Sequence, residues 1–179
     1  MKAFAIDAFD FGRLKEQREG DLALAELPRL AQECAEGADK SQGLHWSVAG
    51  GTHESGHLQL VVKVNGPVQL VCQRCLQPFG FEIDSTSTLI LAKDETQADQ
   101  IEQMLDDDSL DVIVGSKTMN LRDVVEDEAL LAIPQAPKHV QCPAGAVAAA
   151  VAAKQAQAER QEEIAVKPSP FAVLKNPKH

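Results

Sequence analysis

Four cysteines and five histidines carry most of the chemistry open to this chain. Cys72-Gln73-Arg74-Cys75 places two thiols at the spacing that suits one metal ion or one redox pair. His139-Val140-Gln141-Cys142 supplies an imidazole and a third thiol after 63 intervening residues. A redox dithiol is usually found at a helix N-terminus, where the helix dipole lowers the thiol pKa. Cys72 and Cys75 instead lie in a turn between strand-like segments, with Pro78 just beyond. That is the setting of a metal knuckle, in which a tight turn aims two thiolates at one ion. Zinc takes four ligands at tetrahedral geometry, so Cys72, Cys75, His139 and Cys142 form a candidate Cys₃His site with zinc as its cofactor. Two alternatives stay open: reduced thiols at a strand end beside a surface histidine, and a thiol-based redox or zinc-sensing regulator using the Cys72–Cys75 pair. Cys34 shares a predicted helix face with Leu27, Leu30 and Ala31 and reads as a small buried hydrophobe.

Two other groupings invite a chemical reading. His53-Glu54-Ser55-Gly56-His57 matches H-E-x-x-H, which binds catalytic zinc only when both histidines share a helix face. Gly50-Gly51 before it, Gly56 within it and a strand pattern from Leu58 make it a hairpin turn instead. Asp106-Asp107-Asp108 lacks the spaced ligands of a calcium loop and reads as a solvated charge run. No catalytic grouping remains, and the expectation is a non-enzyme.

The elements that must position these residues follow from composition and periodicity. At 179 residues and 44% hydrophobic the chain can build one real core with tails. Its net charge of −10 is concentrated: residues 94–128 alone hold 12 acidic and two basic groups. A field of that sign repels phosphate backbones and favours basic protein partners. Direct RNA contact is confined to Arg74 and the C-terminal lysines. The first residues lack the apolar run of a signal peptide and no stretch reaches transmembrane length, so the expected location is the cytoplasm, away from membranes.

Along the chain, Asp10 is expected to cap a helix over 11–19 that Gly20 ends, and Pro28 opens a second that stops at Gly37. Period-two alternation then takes over: Leu44, Trp46 and Val48, then Leu58 to Val64, then Val68 to Cys72 after a Gly66-Pro67 turn, then Phe79 to Leu91. Short connections imply an antiparallel meander or a partly closed barrel rather than βαβ units. Residues 94–109 read as a solvated helix or loop and 110–114 as a short strand. Asn120 caps a helix with Leu121, Val124, Val125 and Ala129 on its inner face and Glu126, Asp127 and Glu128 mostly facing out. Pro134 ends it. The fold class is therefore α+β, an antiparallel sheet packed with several short helices. Residues 1–143 form one domain, 144–166 an alanine- and glutamine-rich tether, and 167–179 an apolar docking motif centred on Phe171 and Leu174.

Val71 to Cys75, Leu121 to Glu128, Ile133 to His139 with Cys142, and Pro170 to Leu174 together resemble the bacterial YceD family, the large ribosomal RNA subunit accumulation proteins. The resemblance covers the order and spacing of four motifs from about residue 60 onward. It implies a role in the synthesis, processing or stability of 23S rRNA and in large-subunit assembly, with ribosomal proteins or rRNA-processing factors as partners, and no known catalytic activity. The family's shared positions map onto Cys72, Cys75, residues 125–128, Pro134, Pro137, His139 and Cys142. His139 and Cys142 stand closer together than in many members, and the alanine-rich tether departs from the pattern. A recurring acidic helix implies that Glu126, Asp127 and Glu128 dock a basic partner.

Overall fold

The computed structural model describes residues 4–39, 41–105, 107 and 110–164, with side chains as far as Gln155. They fall into two compact units, one built on residues up to Val71 and on Pro78–Pro137, the other on Cys72–Gln77 and the chain from Lys138.

The first unit is α+β. Its elements run β1 (Ala5–Ile6), α1 (Ala8–Arg13), β2 (Gln17–Ala23), α2 (Pro28–Glu33), β3 (Gly43–Thr52), β4 (Leu58–Val71), β5 (Pro78–Ala92), α3 (Glu95–Leu105), β6 (Asp111–Val114), β7 (Met119–Asn120) and α4 (Leu121–Leu131). Five strands form an open sheet in the order β2-β3-β4-β5-β6, while β1 and β7 pair separately. The sheet ends at β2 and β6, so it does not close into a barrel. Alternation decides which face is buried: Leu44, Trp46 and Val48 of β3 and Leu60, Val62, Val64, Val68 and Leu70 of β4 all point into one core. Phe11 of α1, Leu30 of α2 and Leu121, Val125 and Ala129 of α4 belong to the same core. Lys63, Asn65 and Gln69 stand on the solvent side.

Several boundaries differ from expectation. Gly66 and Pro67 do not turn the chain; β4 continues through them and pairs Gly66 with Ile83 and Pro67 with Glu82. Gly66 has φ 146°, and a Cβ there would come within 2.9 Å of Leu44 and 3.0 Å of the Gly43 carbonyl oxygen, so the residue is a kink that lets two strands approach. Asp7, not Asp10, caps α1, accepting from the Phe9 and Asp10 amides. Lys15, at φ 52°, follows this short helix, and residues 17–23 form β2 along β3. α2 stops at Glu33, and Cys34 adopts extended backbone bridged to Leu70, half-buried rather than on a helix face. β6 runs parallel to β5, with α3 as the crossover, so one βαβ unit interrupts the antiparallel order. Ala98 and Ile101 of α3 are buried against Ile90 and Ala92.

α4 also departs from the outward-facing arrangement. Asn120 caps it, accepting from the Arg122 amide at 3.1 Å, but Glu126 and Glu128 are only 3% and 6% exposed. Glu126 accepts the backbone N–H groups of Arg29 (2.7 Å) and Leu30 (3.1 Å) and the Arg29 Nε (2.9 Å). Those two amides lie in the first turn of α2, whose N-cap Leu27 has no side chain able to accept them. A carboxylate from a distant helix thus performs the capping. Glu128 accepts the hydroxyls of Ser85 and Ser87 on β5. Asp127 remains outside, paired with Arg29. Glu126→Ala should therefore lower unfolding free energy by about 2–4 kcal/mol, because it strands two α2 amides and removes charge-assisted bonds. Asp127→Ala should cost much less. Urea unfolding of both variants checks the contrast, and equal losses would contradict the capping role.

Candidate metal centre

The second unit holds all four residues of the candidate site. β4 ends at Val71 and β5 resumes at Pro78, so residues 72–77 must reverse the chain. The Leu76 N–H donates to the Cys72 carbonyl at 2.8 Å and the Cys72 N–H to the Gln77 carbonyl at 3.0 Å. Leu76 takes φ 61°, a left-handed conformation that costs a residue with a side chain about 1–2 kcal/mol. This tight reversal buries Cys72 and Cys75 while Gln73, Arg74, Leu76 and Gln77 stay exposed. Residues 138–142 have no helix or strand. Val140 is 99% exposed and Gln141 is exposed, whereas His139 and Cys142 are half-buried and turn toward the knuckle.

The four donor atoms lie within 4.8 Å of one another. Cys72 Sγ is 3.8 Å from Cys142 Sγ, and Cys75 Sγ is 3.4 Å from His139 Nδ1. A tetrahedral zinc with Zn–S near 2.3 Å and Zn–N near 2.0–2.1 Å would place sulfurs about 3.8 Å apart and sulfur and nitrogen about 3.5 Å apart. Both observed separations fit, and the sulfurs are far beyond the ~2.05 Å of a disulfide. The cluster can hold a metal ion such as zinc.

The surroundings favour the thiolate at Cys72 and oppose it at Cys75. Burial opposes ionisation of Cys72, but N–H groups of His139 and Cys75, the His139 ring and the Arg74 amide outweigh it and bring the thiol down to about 5. The His139 N–H lies 3.5 Å from this sulfur. Burial pushes the Cys75 thiol up against a Gln77 amide, and Cys142 and Cys72 push it further the same way. Arg74 donates from Nε to Cys142 Sγ at 3.0 Å and from Nη2 to the His139 carbonyl at 3.2 Å. Bonding to the Cys142 sulfur, and its charge, raise the Arg74 pKa. Sequence reasoning reserved Arg74 for RNA and missed this role. The signal available was its place inside the C-x-x-C loop, where a long cation can fold back over the sulfurs.

The family model for large ribosomal RNA subunit accumulation protein YceD matches residues 60–178. The chain belongs to the YceD family. The large ribosomal RNA subunit accumulation protein YceD of Haemophilus influenzae is 32% identical over 114 residues, which cover 64% of this chain and 62% of that protein. The chain thus spans less than two thirds of the curated relative it matches. No solved structure matches.

The other candidate positions of this YceD-family chain separate clearly. His53 to His57 form the turn between β3 and β4: the His53 N–H donates to the His57 carbonyl (2.8 Å) and Gly56 takes φ 84°. His53 Nδ1 contacts Ser55 Oγ at 2.8 Å. The helix required for H-E-x-x-H zinc chemistry is absent at these residues. Pro137 is buried and Pro134 exposed. Phe171 and Leu174 lie outside the described residues, as do Asp106 and Asp108. Since the folded-state pKa of Cys72 is depressed, its thiolate forms as pH rises through about 5 and persists above. Ultraviolet thiolate absorbance of metal-free protein should titrate one group near pH 5, and Cys72→Ser should abolish that step. A first step near the ordinary thiol value would contradict the arrangement.

Proposed function

We propose that this chain is a non-enzymatic factor supporting 23S rRNA accumulation and large-subunit assembly, acting through ribosomal proteins or rRNA-processing factors. The family match over residues 60–178 carries the reading. In it, Cys72, Cys75, His139 and Cys142 hold a structural zinc. Three thiolates leave a zinc site with a charge of about −1, which the Arg74 guanidinium offsets from its bond to Cys142. A structural ion would tie the 72–77 loop to the 138–142 segment and set the geometry of this unit, since closed four-ligand sites contribute folding energy directly. Direct RNA contact is secondary, because the segment 94–128 repels phosphate. Of the partner surface expected from sequence, Glu126 and Glu128 already satisfy bonds inside the protein, and exposed Asp127 is paired with Arg29. Residues 144–166 act as a spacer ahead of a docking segment containing Phe171 and Leu174. Within the spacer, helix α5 (Ala146–Ile164) is alanine-rich. No helix among the described residues is long and apolar enough to cross a membrane.

The second reading, a thiol-based redox or zinc-sensing regulator, draws on the low pKa of Cys72. Thiol reactivity separates the two: a structural zinc thiolate reacts slowly with alkylating agents until metal is removed, whereas a redox thiol reacts quickly as purified. Deleting the gene should lower the ratio of 23S to 16S rRNA, and an unchanged ratio would sink the assembly reading. Protein purified without chelator should contain zinc near one equivalent. Arg74→Ala should weaken zinc affinity about 10–100-fold in a chelator competition, with Arg74→Lys restoring only part of it. Unaltered affinity in Arg74→Ala would remove Arg74 from the site.

A further inference from the structure

β5, β6, α3 and α4 enclose an open groove of about 580 Å³ in the first unit. Its floor is apolar, built from Leu89, Leu105, Val112, Ile113 and Val124. Leu131 at the end of α4 forms one margin and is 78% exposed. Among the described residues the polar lining is acidic, Glu102, Asp107, Asp111, Asp127 and Glu128, with no Lys, Arg or His. These carboxylates are not equivalent. Glu128 is spent on Ser85 and Ser87, and Asp127 on Arg29. Glu102 and Asp111 are exposed and make no ion pair among the described residues. α3 contributes Glu95, Asp99 and Glu102 with no basic residue in its length.

We infer that this groove is the docking site for a cationic amphipathic peptide segment of a protein partner, with bulky apolar side chains on the floor and Lys or Arg at Glu102 and Asp111. This deepens the partner reading proposed above and rests on it for its biology, although not for the binding chemistry. Charge complementarity selects the occupant. Its described lining residues all come from Leu89 to Leu131, a stretch that includes the 94–128 segment with its 12 acidic and two basic residues. A phosphate backbone or an anionic lipid surface would be repelled there. A neutral apolar segment could use the floor but would leave two desolvated carboxylates unpaired at the rim. The volume suits a few side chains of one extended or helical segment.

The test uses the full chain and a fluorescent peptide of alternating Lys and Leu blocks. Controls are a Lys/Ser peptide of equal charge, a Glu/Leu peptide and an RNA oligonucleotide. Anisotropy should show the Lys/Leu peptide binding best, more weakly as salt rises. Glu102→Gln/Asp111→Asn should weaken it about tenfold, and Leu131→Ser about threefold or more. A charge-matched pair placed elsewhere, Glu54→Gln/Glu82→Gln, should change it less than twofold. All of these residues are exposed, and circular dichroism melts should match the parent protein. Equal binding of the Lys/Ser peptide, or equal loss in the two double variants, would reduce the effect to net charge and overturn the proposal. Preferential RNA binding lost in the groove variants would assign the site to RNA and overturn it too. If truncation after Val166 raises peptide affinity tenfold, the groove belongs to the chain's own C-terminal segment, again overturning the partner. An unchanged rRNA ratio on gene deletion would fell the biological reading while leaving this binding result standing.

Discussion

The pairing of β4 with β5 is the constraint on which most of the structure hangs. From Gln59 opposite Ile90 to Val71 opposite Pro78 the two strands stay in one antiparallel register. That register turns Leu60, Val62, Val64, Val68, Leu70 and Ile83 inward together. It offers β3 one edge and β6 another, so the whole five-stranded sheet is assembled on this hairpin. It also presents Ser85 and Ser87 to the Glu128 carboxylate, anchoring α4. Finally it leaves only residues 72–77 to reverse the chain. A loop that short must fold back on itself, and the two thiols of Cys72 and Cys75 become neighbours as a consequence.

The acidic character of the centre of the chain divides into two physical kinds. Glu126 and Glu128 are interior carboxylates, held by backbone amides, a guanidinium and serine hydroxyls rather than by water. Glu126 completes a helix whose own N-cap, Leu27, has nothing to offer its amides. Such groups specify how α2 and α4 sit and are expensive to disturb. The exposed carboxylates of α3 and β6 do the opposite: they shape a potential over an apolar groove and leave it open to a cationic visitor. Net charge alone does not distinguish these roles; burial and bonding do.

The alternating segments were the most legible part. Their even-numbered residues line the core across β3 and β4 as the pattern predicts. The continuation through Gly66-Pro67 was concealed because turn-forming residues usually mark a reversal, although the inward phase of Val64 carries on unbroken to Val68. β2 was hidden for a related reason: in Arg18-Glu19-Gly20-Asp21-Leu22 only Leu22 announces a buried face, and pairing with β3 supplies the rest. The parallel placement of β6 depends on a crossover through α3, a matter of topology that periodicity within a segment does not express. At the site, the four residues that could hold a metal were legible from residue type and spacing, while Arg74 as a hydrogen-bond donor to the Cys142 sulfur was not.

By itself the sequence determined the α+β class, the buried phase of the central strands, which four residues could together hold a metal, and the family, because each depends on residue identity at short range or on motif order. Tertiary structure alone decided that Cys72, Cys75, His139 and Cys142 share a space under 4.8 Å across. It also decided that Glu126 and Glu128 turn inward, and that an acidic rim surrounds an apolar groove. The physical reason is the same in each case. Whether a thiol meets an imidazole, or a carboxylate meets an amide or water, depends on groups distant in the chain. Only the packed sheet and helices bring those groups within a few ångströms.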